Sequence, residues 1–301
     1  MKINTFLNAG LSRIGSHFLK SPKNQINDQE PITIYSHGCL CNKLIAKIFH
    51  TSIQRRNKIC PNAFMIGPMK SFNYSDYLNP FSTYLAQEND VKRLHQACAP
   101  YKKVILVGVS RGASTIINYL GNYKPTNIIA AVIESPFDHF DNILEHVMAT
   151  HIIYKRIINN NNKQKVKRRL LRVFCRNYKY NGLHPIDAAP NISKDIPLLI
   201  ISSDQDKLIP AWSTKNIYDA LTQAGHKKSY LLACKNGSHG LISWGKDGAL
   251  MRNVIHAFYK HHDIPHHEPW AQEGYEEFMK CHLVSSSKSE FFTKSLDSKY
   301  L

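Results

Sequence analysis

The sequence predicts an α/β fold in which a doubly wound, mostly parallel β-sheet carries a helical lid insertion. Short apolar runs rich in β-branched residues, typical of strands buried on both faces of a parallel sheet, alternate with segments of helical periodicity. One of these runs, Val104–Val107, continues through Gly108-Val109-Ser110-Arg111-Gly112 into a helical pattern. The alternation stops after Glu134 and resumes near Asp195, which indicates inserted helices.

Length and composition predict one large domain in a reducing environment. The chain has 301 residues, 43% of them hydrophobic, which is enough for a sizeable core. No apolar run is long enough to cross a bilayer. Seven cysteines without paired spacing argue against an extracellular disulfide framework. We therefore expect a soluble cytoplasmic protein, with peripheral membrane contact as the alternative.

Three regions are predicted along the chain. Residues 1–30 hold a basic N-terminal helix and a linker, residues 31–262 the main domain with its insertion at about 137–195, and residues 263–301 a weakly patterned tail. Met1–Lys23 carries four Lys or Arg and no acidic residue, with apolar residues at helical spacing. This segment is either a packing helix or an amphipathic membrane-contacting helix, because it lacks the continuous apolar core of a secretory signal.

The elements of the main domain follow from periodicity and turn residues. Before the central turn, the pattern predicts a strand at Ile32–Tyr35, a helix at Asn42–Arg55, a strand at Ala63–Ile66 and a helix at Gln87–Ala99. After the turn, it predicts a helix from Ala113 to Leu120 ending at a left-handed Gly121, then strands at Ile128–Glu134, Pro197–Ser203 and Leu231–Cys234, with helices at Ala211–Ala224 and Ala249–Tyr259.

The insertion is strongly basic. Helical patterns at Phe140–Ile158 and Val166–Phe174 are separated by a turn at Asn159–Asn162. Residues 151–182 contain ten Lys or Arg and no Asp or Glu, and without them the net charge falls from +17 to +7. The excess charge is therefore mostly one patch.

Gly108 and Gly112, which flank Ser110, are small for a structural reason. Ser110 occupies a strained turn, and its neighbours must be small so that the strand and the helix can approach each other. The hydroxyl is thereby held at the carboxyl end of the sheet, where the helix dipole points towards it. Since a hydroxyl is a poor nucleophile at neutral pH, it needs a base, and the base needs an orienting acid.

These residues resemble the α/β-hydrolase superfamily of serine esterases, lipases and peptidases, in which Gly108–Gly112 corresponds to the nucleophile elbow. The resemblance covers roughly residues 31–260 and implies an acid and then a histidine later in the chain. Asp206 falls at the acid position, in a segment where Ser203 replaces the usual glycine, and His239 falls at the histidine position. The resemblance thus implies a catalytic triad of Ser110, Asp206 and His239, with the insertion forming a lid.

Several assignments stay open at this point. A tetrahedral intermediate needs two backbone N–H donors, and the resemblance implies Cys39 and Arg111, with Leu40 as the alternative to Cys39. Asp204 on the same loop and Glu134 at the end of the preceding strand are alternatives for the acid. The Arg111 guanidinium either binds an acidic substrate group or pairs with a carboxylate behind the helix.

We expect no metal, no cofactor and no nucleic acid partner. The C-terminal histidines lack the spacing of a helix-borne zinc site, and Pro265 interrupts them. The basic insertion matches no nucleic-acid-binding module. Its apolar residues, Val166, Leu170, Val173 and Phe174, indicate either a solvated lid or a helix that lies on an anionic membrane or acidic partner.

The sequence therefore predicts a cofactor-independent serine hydrolase that cleaves an ester, thioester or amide of a small-molecule or lipid acyl substrate through an acyl-enzyme on Ser110. Esterase is preferred over peptidase because nothing in the sequence resembles an additional substrate-gating domain. The alternative is a catalytically silent protein of the same fold that binds an anionic lipid or acidic partner through its basic insertion.

Overall fold

The computed structural model describes residues 31–36, 38, 70–72, 85–150, 163–175 and 177–283. Within them the predicted fold class is confirmed, because six strands form one sheet of order β2-β1-β3-β4-β5-β6 and all five neighbouring pairs are parallel. The strands are β1 Ile32–Ser36, β2 Lys70–Phe72, β3 Val104–Val109, β4 Ile128–Glu134, β5 Leu198–Ser203 and β6 Ser229–Cys234.

Helices cover both faces of this sheet. They are α1 Glu88–Cys98, α2 Arg111–Tyr123, α3 Phe140–Thr150, α4 Lys163–Phe174, α5 Pro185–Ala188, α6 Ala211–Gln223, α7 Gly248–His261 and α8 Glu268–Leu283, with 3₁₀ turns at Ala189–Asn191 and Ile242–Trp244. Most of the predicted elements that fall in the described residues agree with these bounds within three residues. The predicted helix Asn42–Arg55 and strand Ala63–Ile66 lie outside the described residues.

Alternating side chains of the strands build two cores. Leu106 of β3 faces a core formed with α1, α2 and α6, whereas its neighbour Ile105 faces a second core formed with α7 and α8. Both side chains are fully buried. A strand buried on both faces needs apolar residues at consecutive positions, which is why the central strands read as continuous apolar runs.

The strand order places a crevice beside β3. From β1 the chain moves outward to β2, and from β3 it moves in the other direction through β4 and β5 to β6. The reversal lies between β1 and β3, and in open parallel sheets the crevice at such a point, beyond the carboxyl ends of the strands, is where ligands bind. Gly38 and Ser110 follow these two strands.

Gly121 differs from its prediction. It lies inside α2, and the left-handed residue that ends the helix is Lys124, with φ 47°. A Cβ atom at position 121 would lie 2.2 Å from the carbonyl oxygen of Ala188. Glycine is therefore required here because α5 packs directly on the α2 backbone.

The segment after Asp263 also differs from the expected weakly patterned tail as far as Leu283. Helix α8 packs on α7, with Trp270, Ala271, Phe278 and Cys281 buried. His256 of α7 is part of this contact, since its Nδ1 accepts a hydrogen bond from His267 N and its ring lies 4.9 Å from that of Trp270. Burial lowers the pKa of His256 to about 3. Among the described residues, no group of three or more His, Cys, Asp or Glu side chains is arranged to hold a metal ion.

The described part of the insertion consists of α3, α4 and the segment that leads to α5. Lys167 of α4 is nearly buried against α3, and its ammonium lies 2.7 Å from Glu145 and 3.3 Å from Asp141. One of the ten basic residues of the patch is thus neutralised locally, while Lys165, Arg168 and Arg169 are exposed. That the insertion covers Ser110 stays a prediction. None of the described helices is both long enough and apolar enough to span a bilayer.

Candidate active site

Ser110 occupies a strained turn between β3 and α2. Its backbone angles are φ 56° and ψ −122°, a left-handed conformation that costs energy for any residue except glycine. Its N–H donates to the carbonyl oxygen of Glu134 at 2.8 Å. A Cβ atom at Gly108 would lie 2.6 Å from Ile116 Cδ1 and 2.9 Å from Ala113 N, so only glycine lets the strand and the helix meet here.

Of the residues predicted to bind the oxyanion, Arg111 is described by the structure, as is Gly38, which precedes Cys39 in the chain. A Cβ atom at Gly38 would be 3.4 Å from that of Ser110, so the chain leaving β1 passes directly beside the serine. Arg111 is the first residue of α2, and its backbone N–H therefore lies at the positive end of the helix dipole. Cys39, its alternative Leu40 and the adjacent His37 lie outside the described residues.

Asp206 and His239 meet in the loops after β5 and β6. His239 Nδ1 lies 2.7 Å from Asp206 Oδ2, and the carboxylate is fully buried whereas the imidazole is one-fifth exposed. The other carboxylate oxygen accepts the N–H groups of Leu208 and Ile209 at 2.9 and 2.8 Å. Asp204, the competing acid, is exposed.

Two further contacts hold the histidine loop beside the elbow. Ser203 Oγ donates to the carbonyl oxygen of Gly237 at 2.7 Å, so the serine that stands at the usual glycine position ties the two loops together. A Cβ atom at Gly240 would lie 3.5 Å from Val109 Cγ1, which places the residue after His239 against the residue before Ser110. No hydrogen bond joins Ser110 to His239 within the described chain.

The Arg111 side chain points away from the site. Its Nε and Nη2 donate to the two carboxylate oxygens of Asp90 at 2.7 and 2.6 Å, and both side chains are almost fully buried. Asp90 also accepts the N–H of Ala86 at 2.9 Å. Of the two roles considered for the guanidinium, the structure shows the internal ion pair, so only the backbone of Arg111 is left to face a substrate.

Glu134, the third carboxylate considered, is buried behind the site. Its side chain is 4% exposed, and burial raises its pKa to about 7, with the charge of His239 acting in the opposite direction. Among the described residues, no hydrogen bond joins its carboxyl group to the imidazole, whereas Asp206 lies 2.7 Å from His239 Nδ1. The acid that contacts His239 is therefore Asp206.

The sequence did not single out the apolar side chains around these loops. Four large apolar side chains that follow Asp206 or His239 within six residues along the chain are more than one-third exposed: Leu208, Trp212, Leu241 and Trp244. Exposed aromatic and aliphatic side chains close to a polar centre are typical of a site for apolar ligands. Sequence alone could not find them because it does not show which apolar side chains stay exposed after folding.

A serine on a strained strand-to-helix turn, with an aspartate–histidine pair on loops of the same sheet edge, places the fold in the α/β-hydrolase class of serine hydrolases. The sequence model of the prolyl oligopeptidase family matches residues 94–263, which is more than half of the chain. The chain belongs to that family. A search of curated protein sequences finds no match.

Solved structures similar to this chain include an esterase and two peptidases. The Pyrococcus furiosus esterase has a TM-score of 0.54 at 14% identity and is matched over 78% of this chain and 84% of its own. A puromycin-hydrolyzing peptidase of Mycobacterium tuberculosis has a TM-score of 0.51 at 15% identity, over 82% of this chain and 36% of its own. An acylaminoacyl peptidase has a TM-score of 0.49 at 16% identity and is matched over 80% of this chain and 38% of its own. The chain thus spans less than half the length of either peptidase.

Proposed function

We propose that this protein cleaves ester bonds through an acyl-enzyme on Ser110, with His239 as the base and Asp206 as its orienting acid. The observation that carries the proposal is the 2.7 Å contact between His239 Nδ1 and Asp206 Oδ2 on the sheet edge where Ser110 sits. Two backbone N–H groups fix the same carboxylate, which holds the imidazole in one orientation.

The chemistry follows from this orientation. Because Nδ1–H donates to Asp206, Nε2 carries the lone pair and accepts the Ser110 proton as Oγ attacks the carbonyl carbon. The resulting oxyanion is stabilised by the Arg111 N–H and, by resemblance, by that of Cys39. His239 then donates its proton to the leaving oxygen, and a water molecule repeats the sequence to release the acid.

An ester of an apolar acyl group is the substrate that fits this site best. Leu208, Trp212, Leu241 and Trp244 are exposed and follow Asp206 or His239 within six residues along the chain, so they would offer apolar contacts to such a group. The Arg111 guanidinium is neutralised by Asp90 and offers no charge to an acidic substrate group. A silent, purely binding protein is not favoured by membership of a hydrolase family.

Labelling with a fluorophosphonate tests the proposal. Wild-type protein and a Ser238→Ala control, which changes an exposed serine beside His239, should label, whereas Ser110→Ala should not. A wild type that never labels, or a Ser110→Ala variant that labels equally well, contradicts it. Matched p-nitrophenyl esters and aminoacyl p-nitroanilides then separate esterase from peptidase, and faster cleavage of the anilides overturns the ester preference.

Peripheral contact with an anionic membrane is the second part of the proposal. Lys165, Arg168 and Arg169 are exposed on α4, the helix of the insertion, and no acidic residue lies among residues 151–182. Basic side chains on a helix that also carries apolar residues are typical of segments that lie on anionic lipid.

A further inference from the structure

Gln87 stands at the start of α1 but does not cap it. The residue at this position usually accepts a hydrogen bond from the first turn of its own helix, and short polar side chains are preferred there. In the part of the chain that the structure describes, Gln87 makes no such bond, although it is only 1% exposed. A buried amide is costly unless it is hydrogen-bonded, so partners elsewhere must explain its position.

The partners of Gln87 lie in the insertion, 92 residues later in the chain. Its Nε2 donates to the carbonyl oxygen of Lys179 at 2.7 Å, and its Oε1 accepts the Lys179 N–H at 2.8 Å. The same carbonyl oxygen accepts the N–H of Gly182 at 3.0 Å, which closes a turn. One side-chain amide therefore satisfies both backbone groups of Lys179, as a paired residue of a neighbouring antiparallel strand would.

Gly182 is small because the Gln87 amide passes beside it. A Cβ atom at position 182 would lie 2.4 Å from Gln87 Nε2 and 2.9 Å from its Oε1. Both atoms are at the end of a flexible side chain, so an added methyl group would displace the amide rather than the backbone. We refer to the contact of Gln87 with Lys179 and Gly182 as the latch.

The scaffold side of the latch is fixed relative to the elbow. Ala86, directly before Gln87, has a left-handed backbone with φ 68°, a conformation that persists only where the surroundings impose it. Its N–H donates to Asp90 and its carbonyl oxygen accepts a hydrogen bond from Asn118 of α2, both at 2.9 Å. Because Asp90 also binds Arg111, Gln87 is anchored to the helix that follows the nucleophile.

The insertion side of the latch leads to the acid loop through apolar contacts. The ring of Tyr178, in the segment that the latch holds, lies 5.5 Å from that of Phe140, the first residue of α3. Phe140 packs on a cluster that includes Ile143 of α3 and Ile209. Ile209 in turn donates its N–H to the Asp206 carboxylate at 2.8 Å. A continuous series of contacts thus runs from the latch through α3 to the loop of the proposed acid.

We propose that Gln87 is a positioning residue of the proposed hydrolase. It holds the return segment of the insertion, residues 177–184, and thereby keeps α3 in place beside the acyl group of the substrate. Leu208, one of the exposed side chains proposed to contact that group, precedes Ile209 in the acid loop. The inference rests on the proposed function for its effect on the substrate. Because Gln87 acts through the insertion, its loss weakens the binding of long acyl groups and leaves the chemical step unchanged.

The test removes the latch from each side. Gln87→Ala deletes the amide, whereas Gly182→Ala displaces it and leaves Gln87 in the chain. Gln96→Ala is the matched control, because it truncates an exposed glutamine of α1. One measurement is hydrogen exchange of the Lys179 amide, followed by NMR. The other is the hydrolysis of p-nitrophenyl acetate and p-nitrophenyl decanoate.

Both variants should speed exchange of the Lys179 amide by about tenfold or more, because this N–H loses its acceptor. They should also raise the KM for the decanoate by about threefold to tenfold, while the KM for the acetate and both kcat values stay within about twofold of the wild type. Gln96→Ala should change none of these quantities. In the double variant, Gly182→Ala should add nothing to Gln87→Ala, because no amide is left to displace.

Unchanged exchange in both single variants overturns the proposal, and so does faster exchange with an unchanged KM for the decanoate. An equal effect of Gln96→Ala also overturns it. A merely structural role would lower the folded fraction and slow the hydrolysis of both esters equally, which counts against positioning.

Two further outcomes are decided by the same measurements. If Gln87→Ala does not fold, Gly182→Ala decides alone, since it leaves the start of α1 unchanged. If the wild type cleaves neither ester, the hydrolase and the effect on the substrate are contradicted, whereas the exchange rates still decide whether the latch holds the return segment.

Discussion

Arg111, the residue after the elbow serine, and Asp90 of α1 form a buried two-point ion pair with distances of 2.6 and 2.7 Å. The pair joins α2, which begins at the site, to the helix that precedes β3 in the chain. Because Asp90 also accepts the Ala86 N–H, it fixes the left-handed turn at Leu85 and Ala86. A side chain next to the nucleophile thus serves the scaffold.

Loss of one member of this pair should be costly. In Asp90→Asn the buried guanidinium loses its counter-charge, and we expect the free energy of unfolding to fall by about 3–5 kcal/mol. Urea unfolding at pH 7 measures it. Asp219→Asn is the control, because its pair with Lys215 is partly exposed and one turn apart on α6, and its loss should cost about 0.5 kcal/mol or less. Equal costs in the two variants would show that the Arg111–Asp90 pair contributes little.

The two aspartates of the acid loop should differ sharply in turnover. Asp206→Asn keeps the shape of the loop but replaces the carboxylate that accepts the Nδ1–H of His239 with an amide. The rate of ester hydrolysis should therefore fall by a factor on the order of 10⁴. Asp204→Asn, which alters an exposed side chain, should change the rate by less than about threefold. Ester hydrolysis at pH 8 with equal amounts of folded protein measures both. The reverse ranking would transfer the role to Asp204.

His256 should make the fold sensitive to mild acid. Its pKa is lowered to about 3 by burial, so below its ordinary value of 6.5 the unfolded chain binds a proton that the folded chain excludes. The contribution of neutral His256 to the free energy of unfolding is therefore fully present above pH 6.5. It is lost as the pH falls, by about 2 kcal/mol at pH 5. Urea unfolding at pH 7.5 and pH 5 should show this loss in the wild type and a smaller one in His256→Gln.

The control for this experiment is His261→Gln, which changes an exposed histidine of the same helix. Its free energy of unfolding should fall between pH 7.5 and pH 5 by as much as that of the wild type. If His256→Gln keeps it as well, the acid sensitivity comes from other groups.

Membrane contact through α4 should depend on charge. Each lysine or arginine near anionic lipid is worth about 1 kcal/mol, so replacing Lys165, Arg168 and Arg169 by glutamate should abolish flotation with anionic vesicles. Binding of the wild type should weaken with salt because such charges are screened over about 8–10 Å. The control changes Lys102, Lys103 and Lys227, which are exposed at the opposite, amino edge of the sheet. Equal partitioning of the wild type to neutral and anionic vesicles contradicts the membrane proposal.

The parts of the fold that the sequence predicted are those encoded by neighbouring residues. The run Val104–Val107 and the glycine-flanked Ser110 specify a strand and a turn within ten residues, and β4 at Ile128–Glu134 matches its prediction at both ends. Asp206 and His239, which follow two of the buried strands, were instead located by the resemblance to the α/β-hydrolase superfamily. Local pattern suffices where the constraint is local.

The features that the sequence did not predict depend on contacts between distant segments. Gly121 is small because of Ala188, and Arg111 pairs with a residue 21 positions earlier in another helix. Helix α8 does have a helical spacing of buried residues, but Gly274 interrupts its apolar pattern. A Cβ atom there would lie 2.2 Å from the Asn253 backbone, so a helix-weakening residue is needed for the contact with α7.

The left-handed conformation of Ser110 means that stability and chemistry oppose each other at one residue. Holding a serine at φ 56° costs about 1–3 kcal/mol, whereas glycine adopts these angles freely and loses only about 0.5–1 kcal/mol through its more flexible unfolded chain. Ser110→Gly should therefore raise the melting temperature while removing the reactive hydroxyl, and an unchanged or lower melting temperature would show that the turn is relaxed. A screen of random variants for heat resistance alone would accordingly enrich inert proteins, and thermostabilisation has to be selected together with activity.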